Sequence, residues 1–338
     1  MNILYIGNDL TKKTNYNSSM NTLIHYFNNS GLTVFRSSSK QNKVYRLIDM
    51  LFAVLIHRNN IRYIIIDTFS TTNFYYALLV SQLARLLKIK YIPILHGGNL
   101  INRLKKNAFL SKLIFDHSYK NVAPSNYLKS EFEKYGYIIH FIPNILEFDS
   151  YKFKIRSSIS PKILWVRAFD KIYNPTLAIE VLFLLKQKFS QAHLTMVGPI
   201  KDESYNDVIK LIENYNLKDS VTITGVLKKE AWHKISVKSD ILINTTNIDN
   251  TPVSLMEAMA LGLPVISTNV GGIPFLIENY VDGILVKKND PAEMVEKIFE
   301  LINNKTGLQI SLNAREKVRS FSPDLVMPKW LKLLQCKH

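Results

Sequence analysis

The chemistry-bearing residues of this chain concentrate around the start of one helix. The apolar run Ile241-Leu242-Ile243-Asn244 leads into a polar stretch, Thr245-Thr246-Asn247-Ile248-Asp249-Asn250. Thr251-Pro252 follows, then Val253-Ser254-Leu255-Met256-Glu257-Ala258-Met259-Ala260-Leu261, closed by Gly262. Threonine followed by proline reads as an N-cap and a first helical turn, which predicts a helix over 252–261. The free N–H groups of Val253 and Ser254 then stand at a helix N-terminus, where the dipole favours anions and a diphosphate can dock. Asp249 stands just before the cap. Glu257 lies about one turn further in, on the face shared with Val253 and Ser254. A carboxylate inside a mostly apolar helix is costly without partners. Either ribose hydroxyls or groups of the fold itself can supply them.

Three more side chains fit the same chemistry. Arg167 directly follows the apolar run Ile163-Leu164-Trp165-Val166, and Lys171 comes four residues later. A guanidinium fork matches phosphate oxygens, although both cations also read as surface charge. His96 ends the run Tyr91-Ile92-Pro93-Ile94-Leu95 and precedes Gly97-Gly98, glycines that permit close backbone approach. It reads either as a residue facing a ligand cleft or as a hydrogen-bonded core histidine.

The elements that must position these groups alternate along the chain. Strands are expected at 3–6, 32–35, 63–67, 91–95, 121–123 and 140–142, and again at 163–166, 194–197, 221–224, 241–244, 264–267 and 284–286. Helical patterns lie between them, for example at 18–28, 43–56, 73–87, 175–189, 205–215, 228–237 and 291–303. This alternation predicts βα units and parallel sheets. The pattern stops between Asn144 and Lys162, a charged, Ser-rich stretch that reads as a linker. The expected fold class is therefore α/β, with two doubly wound Rossmann-like domains facing each other across a cleft. Residues 1–150 form the first, 151–320 the second, and 321–338 a helical tail that can cross back to the first. Ligands of open parallel sheets bind beyond the carboxyl ends of the strands, which makes the cleft the natural site.

Several classes are excluded. Gly7-Asn8-Asp9-Leu10 follows the first strand and Arg167-Ala168-Phe169 the strand that opens the second half, so neither carries G-x-G-x-x-G and a nicotinamide dehydrogenase is disfavoured. No Walker loop, H-E-x-x-H or Cys/His cluster occurs, so no metal site and no cofactor are expected. The lone cysteine, Cys336, suits a reducing compartment. The first residues read as a strand rather than a signal peptide, and the longest apolar runs fall short of the roughly 20 residues that span a bilayer. A cytoplasmic protein is expected, soluble or peripheral on the inner membrane face. The net charge is +16, and residues 1–150 carry eighteen Lys/Arg against eight Asp/Glu. That excess reads either as solvated surface or as the footprint of an anionic partner. Within it, Arg103, Lys105, Lys106 and Lys112 interleave with Leu100, Ile101, Leu104, Phe109, Leu110, Leu113, Ile114 and Phe115. This segment reads as an interfacial amphipathic helix or as one with an ordinary core face. No recognised nucleic-acid motif accompanies the charge, so no nucleic acid partner is expected.

Asp249 to Glu257 resembles the E-x7-E signature of the retaining glycosyltransferases of family 4, which have the GT-B fold. The continuation Ala258-Met259-Ala260-Leu261-Gly262-Leu263-Pro264-Val265-Ile266-Ser267, on to Gly271-Gly272-Ile273-Pro274, resembles the family segment that follows it. The resemblance implies that Glu257 binds the donor ribose and Asp249 contacts donor-sugar hydroxyls. It implies that Arg167, with Lys171, binds the diphosphate, and that His96 lies near the donor phosphate and the reacting sugar. Asn250, Thr251, Val253 and Ser254 complete the implied donor-binding set. Ala123-Pro124-Ser125-Asn126-Tyr127-Leu128, Ile142-Pro143-Asn144, Gly198 and Gly225 are further echoes. The chain departs from the pattern in having Asp at the first acid, Pro252 in place of a glycine, and a single glycine, Gly7, after the first strand. The implied activity is retaining, metal-independent sugar transfer from a UDP- or GDP-sugar to a glycan or lipid-linked acceptor, in surface polysaccharide or glycolipid synthesis. The alternatives are a sugar-nucleotide epimerase on the same scaffold and an anionic-polymer binding protein.

Overall fold

The computed structural model describes residues 1–8, 18–304 and 306–335. Cys336 and the residues from Asp9 to Asn17 lie outside the described residues. The chain divides into two units, Met1–Ile145 with Pro323–His338, and Leu146–Ser322.

The first unit holds one six-stranded sheet. Its strands are β1 (Asn2–Ile6), β2 (Thr33–Ser37), β3 (Tyr63–Thr68), β4 (Lys90–Leu95), β5 (Asn121–Ala123) and β6 (Ile139–Phe141). They run in the order β2-β1-β3-β4-β5-β6, and every pair is parallel. The sheet is covered on both faces, which is why β3 reads as a nearly unbroken apolar run and is buried throughout. Side chains alternate between the faces. Leu4, Ile6, Ile64 and Ile66 pack under helices Lys43–His57, Asn73–Leu86 and their successors. Ile3, Tyr5, Tyr63 and Ile65 face helix Ser19–Asn29 and the C-terminal helix Pro323–Gln335. Trp330 of that last helix meets Phe27 edge-to-face, ring centroids 5.6 Å apart.

The second unit repeats the plan with β7 (Lys162–Val166), β8 (His193–Val197), β9 (Val221–Gly225), β10 (Ile241–Asn244), β11 (Val265–Thr268) and β12 (Ile284–Val286). The order is β12-β11-β10-β7-β8-β9, again parallel throughout. Ile163, Trp165, Ile241 and Ile243 pack with helices Pro175–Lys186, Ser204–Asn214 and Pro291–Asn303. Leu164, Leu242 and Val265 pack on the other face with helices Val253–Ala260 and Gly307–Arg319.

The stretch read as a linker holds one short 3-10 turn, Phe148–Ser150, before β7 begins at Lys162, and it is anchored in the second unit. Leu146 and Tyr151 are buried in its core. Arg156 is buried as well, and its guanidinium donates to the carbonyls of Ser236, Ser239, Leu261 and Gly262 at 2.7–3.1 Å. It thereby closes the C-terminal ends of helices Lys229–Ser236 and Val253–Ala260, where orphan carbonyls and the dipole favour a cation. Burial lowers its pKa to about 10, a shift opposed by Asp240. Arg156→Met is expected to destabilise the protein by about 3 kcal/mol, because several buried carbonyls lose their donor. Urea denaturation checks this, and an unchanged midpoint would contradict it.

The segment from Arg103 to Phe115 forms two short helices, Leu100–Lys106 and Ala108–Phe115. Of the two readings of this segment, the burial pattern supports the ordinary core face. Leu100, Ile101, Leu104, Ile114 and Phe115 are buried, Leu110 and Leu113 are half-buried, and only Phe109 of those apolar residues is exposed. The apolar face belongs to the core. No helix among the described residues is long and apolar enough to cross a membrane.

Candidate active site

In the second sheet the strand order reverses between the neighbours β7 and β10. The chain leaving β7 enters helix Pro175–Lys186 on one face, and the chain leaving β10 enters helix Val253–Ala260 on the other. The crevice between two such diverging loops is where open α/β sheets bind ligands. Arg167 sits on the first loop and Asp249 on the second. Their side chains form an ion pair, each mostly buried. Arg167 Nε also donates to Asn244 Oδ1 at 3.3 Å, and its guanidinium lies 4.8 Å from the Tyr173 ring centroid. The β10 loop is pinned by hydroxyls: Trp165 Nε1 donates to Thr245 Oγ1 at 2.9 Å, and Thr246 Oγ1 donates to Ile172 O at 3.1 Å.

Two glycines let backbone approach this pair. A Cβ on Gly198 would lie 1.7 Å from the Arg167 carbonyl oxygen. Gly271, at φ +56°, would place a Cβ 2.1 Å from the Asp249 carbonyl oxygen, which also accepts from Gly272 N at 2.9 Å. Both Arg167 and Asp249 are thus held through their own backbones, independently of their contact with each other.

The helix begins one residue later than the sequence pattern predicts. Its N-cap is Pro252, extended at φ −66° and ψ 118°, and no side chain caps it. Pro252 O accepts from Leu255 N and Met256 N at 3.1 and 3.3 Å, which leaves the N–H groups of Val253 and Ser254 outside the helical ladder. Thr251 lies beyond the cap and is half-buried. Proline brings no N–H to the turn and its ψ keeps it outside the helix, so the threonine hydroxyl has no capping position to fill. Asn250 N donates to Asp249 Oδ1 at 2.7 Å.

Glu257 is 8% exposed and lies on the buried side of this helix. The fold supplies partners for it: Tyr151 donates to Oε1 at 2.9 Å, and Lys229 Nζ stands 3.4 Å from the same oxygen. Lys229 also lies 4.7 Å from the Tyr151 ring centroid and 3.9 Å from Glu147. Desolvation raises the Glu257 pKa, opposed by Lys229 and the Tyr151 hydrogen bond. Burial and the adjacent carboxylate hold the Tyr151 hydroxyl protonated.

Lys171 does not join Arg167 through its side chain. Its ammonium is exposed and pairs with Glu203 at 2.5 Å. Its backbone does meet the β10 loop, with Asn247 Nδ2 donating to Lys171 O at 3.1 Å. The short spacing after Arg167 places Lys171 at the start of a 3-10 turn, Lys171–Tyr173, which aims the side chain outward.

In the first unit His96 follows β4 and is buried. Its Nε2 lies 2.9 Å from Asp67 Oδ1, its backbone N donates to Thr68 O at 2.9 Å, and its ring stacks on Phe69. Tyr5 donates to the same Asp67 oxygen at 2.9 Å. Asp67 is the penultimate residue of β3 and His96 directly follows β4, so with Tyr5 of β1 the three groups meet near the carboxyl ends of adjacent strands.

Sequence reasoning missed Tyr5, Asp67, Tyr151, Asn244 and Lys229. Asp67 and Asn244 carried a usable signal, since each is a polar residue ending an apolar strand. Tyr151 lay in the apparent linker and Lys229 in an ordinary charged helix, where nothing marked them.

The fold as a whole is that of HepE from Anabaena, solved in complex with UDP, with a TM-score of 0.76 at 14% identity and 99% of each chain covered. This places the protein in the GT-B fold class. Residues 148–320, over half of the chain, match the family described as Glycosyl transferases group 1, and the chain belongs to that family. Among its curated relatives is an uncharacterized glycosyltransferase of Methanocaldococcus jannaschii, 24% identical over 258 residues, covering 70% of this chain and 65% of that one. Another is the amylovoran biosynthesis glycosyltransferase AmsK of Erwinia amylovora, 29% identical over 188 residues, covering 52% of this chain and 45% of that one. The matched stretches thus span less than two thirds of either relative.

Proposed function

We propose that the chain is a retaining, metal-independent glycosyltransferase of family 4 that transfers a sugar from a UDP- or GDP-sugar to a glycan or lipid-linked acceptor. The observation that carries this reading is the Arg167–Asp249 pair at the switch point, beside the open N-terminus of helix Val253–Ala260. A diphosphate held by that helix end and by the Arg167 fork would leave as a stabilised anion. The bond between the anomeric carbon and the diphosphate oxygen breaks with both electrons going to the diphosphate. The acceptor oxygen bonds to the same face of that carbon, and its proton is released.

Asp249 would hold hydroxyls of the donor sugar and Glu257 those of the ribose. Asn250, Thr251 and the N–H groups of Val253 and Ser254 would complete the donor contacts. His96, oriented by Asp67, would hold the donor from the first unit. Lys171 would have to leave Glu203 to reach a phosphate, so Arg167 is the principal cation of this reading. UDP bound to HepE supports a nucleotide donor, and the naming of AmsK supports surface polysaccharide synthesis. A cytoplasmic location accompanies the reading, since nucleotide sugars are its substrates.

The test is turnover of a donor panel with EDTA present and the product anomer read by NMR. Retained configuration at an undiminished rate supports the proposal. An inverted product, or a rate abolished by EDTA and restored by a divalent cation, overturns it.

A further inference from the structure

The first unit carries an apolar face that the fold leaves uncovered. On helix Lys43–His57, Val44, Tyr45, Ile48, Phe52, Leu55 and Ile56 are all exposed. At 100° per residue they share an arc of about 120°, opposite the buried Met50 and Val54. The neighbouring helix Asn73–Leu86 exposes Tyr75, Leu79 and Leu86 on a single stripe, with Leu86 79% exposed. The two helices are joined by the Tyr76 hydroxyl, which donates to Lys43 O at 3.0 Å. Helix Ala108–Phe115 lies on the other flank of Asn73–Leu86, linked through Gln82 to Leu113 O at 3.0 Å, and adds Phe109, 73% exposed. Soluble monomers rarely expose a contiguous apolar face of this extent without a partner.

Cations dominate the charge around this face. From residue 43 to 115 the acids are Asp49, half-buried and accepting from Ser37 Oγ at 2.9 Å, and Asp67, buried beside His96, against eleven Lys/Arg in the same span. Five cavity-lining residues, Arg85, Lys88, Lys90, His117 and Tyr119, bound an open space of about 340 Å³ just beyond Leu86. Lys90 Nζ lies 4.6 Å from the Tyr119 ring centroid. The exposed Asp116 is the one acid near this cavity. Lys90 begins β4 and His96 follows its end, so the cavity lies about 20 Å from His96 along the strand.

We propose that this face docks on an anionic lipid bilayer, with the Tyr45–Phe52–Leu86 surface in the interface and the Arg85–Lys88–Lys90–His117 cavity holding a lipid phosphate. Exposed aliphatic and aromatic side chains on convex helices, rimmed by cations, match the apolar and anionic layers of a membrane surface together. Pairing two copies through this face would set a net cationic rim against itself, with Asp49, already held by Ser37, as the one acid on helix Lys43–His57. The inference is independent of the donor site, which lies in the second unit.

Flotation with vesicles of phosphatidylglycerol and phosphatidylcholine, against phosphatidylcholine alone, tests the proposal on the full chain. The protein is expected to float with the anionic vesicles at low salt and to be released as salt screens the charge. Ile48→Glu/Phe52→Glu and Arg85→Glu/Lys88→Glu change only exposed positions, and each pair is expected to lower the bound fraction at least ~10-fold with the circular dichroism spectrum unchanged. Absence of native binding, or variants that float like the native protein, would overturn it. So would inorganic phosphate shifting the His117 ring signals without vesicle binding, or a dimer that Phe52→Glu splits while vesicles stay unbound.

Discussion

Arg167→Ala is expected to lower the rate of sugar transfer by about 10³-fold, the scale of removing one preorganised group that stabilises developing negative charge. The guanidinium faces Asp249 in the second unit's switch-point crevice and is braced by Asn244 and Tyr173. Arg167→Lys keeps the charge but loses the planar fork, so a loss of about 10²-fold is expected. The alanine variant also leaves the mostly buried Asp249 carboxylate unpaired, which destabilises the fold by about 2 kcal/mol. The double variant Arg167→Ala/Asp249→Ala is therefore expected to regain stability but not activity. Steady-state rates and chemical denaturation of the three proteins separate the two effects. An alanine variant within threefold of native activity would remove Arg167 from the reaction.

Glu257→Gln separates function from stability in the opposite direction. If Glu257 holds the donor ribose as proposed, loss of the charged acceptor is expected to weaken nucleotide binding by about 10²-fold, from roughly 3 kcal/mol of charge-assisted hydrogen bonding. Calorimetric titration with UDP- and GDP-sugars reads this directly. The same substitution is expected to leave stability unchanged or raise it at neutral pH. Burial raises the folded-state pKa of Glu257 above its ordinary 4.5. The carboxylate therefore costs stability once both states are ionised, a cost that is absent below pH 4.5 and grows as pH rises through the folded pKa. The glutamine variant's advantage should increase with pH over that window, and denaturation midpoints at several pH values check the sign. Native affinity in the variant would detach Glu257 from the donor site, and a large loss of stability at neutral pH would make its role structural.

An acid kept at a cost among apolar neighbours is the pattern expected of a functional residue. Tyr151 and Lys229 satisfy the Glu257 carboxylate within the fold. A structural carboxylate would be satisfied by the same pair, which is why the binding measurement and the stability measurement have to be made together.

Local sequence was enough to place all twelve strands of the two sheets within a residue or two. Buried parallel strands must be apolar on both faces, and Tyr63–Thr68 and Ile241–Asn244 show that signature without reference to anything distant. Asp249, Arg167 and His96 were legible because each polar residue follows an apolar strand, and chain order alone puts strand ends beside a ligand crevice. The start of the helix after Asp249 was misplaced by one residue. Threonine and proline both suit the first turn, and the choice between them depends on the ψ that the β10 loop imposes on Pro252.

Other features depend on residues far apart in the chain. Tyr151 meets Glu257 across 106 positions, and Tyr5 meets Asp67 across 62. Neither tyrosine carries a local mark. The side chain of Lys171 was assigned by spacing, but a 3-10 turn and the position of Glu203 send it outward. The interleaving of apolar and basic residues at 100–115 left both an interfacial helix and an ordinary core face open in the sequence. The same composition occurs at 43–57, and which helix buries its apolar residues is decided by the number of neighbours each has in the helix layer. The sequence by itself therefore determined the fold class, the strand order's raw material and the residues at strand ends, because those follow from periodicity and backbone chemistry. Only the tertiary structure decided which charges pair, which carboxylate is buried and which apolar face stays open, because each depends on the sum of contacts from elements that are distant in sequence.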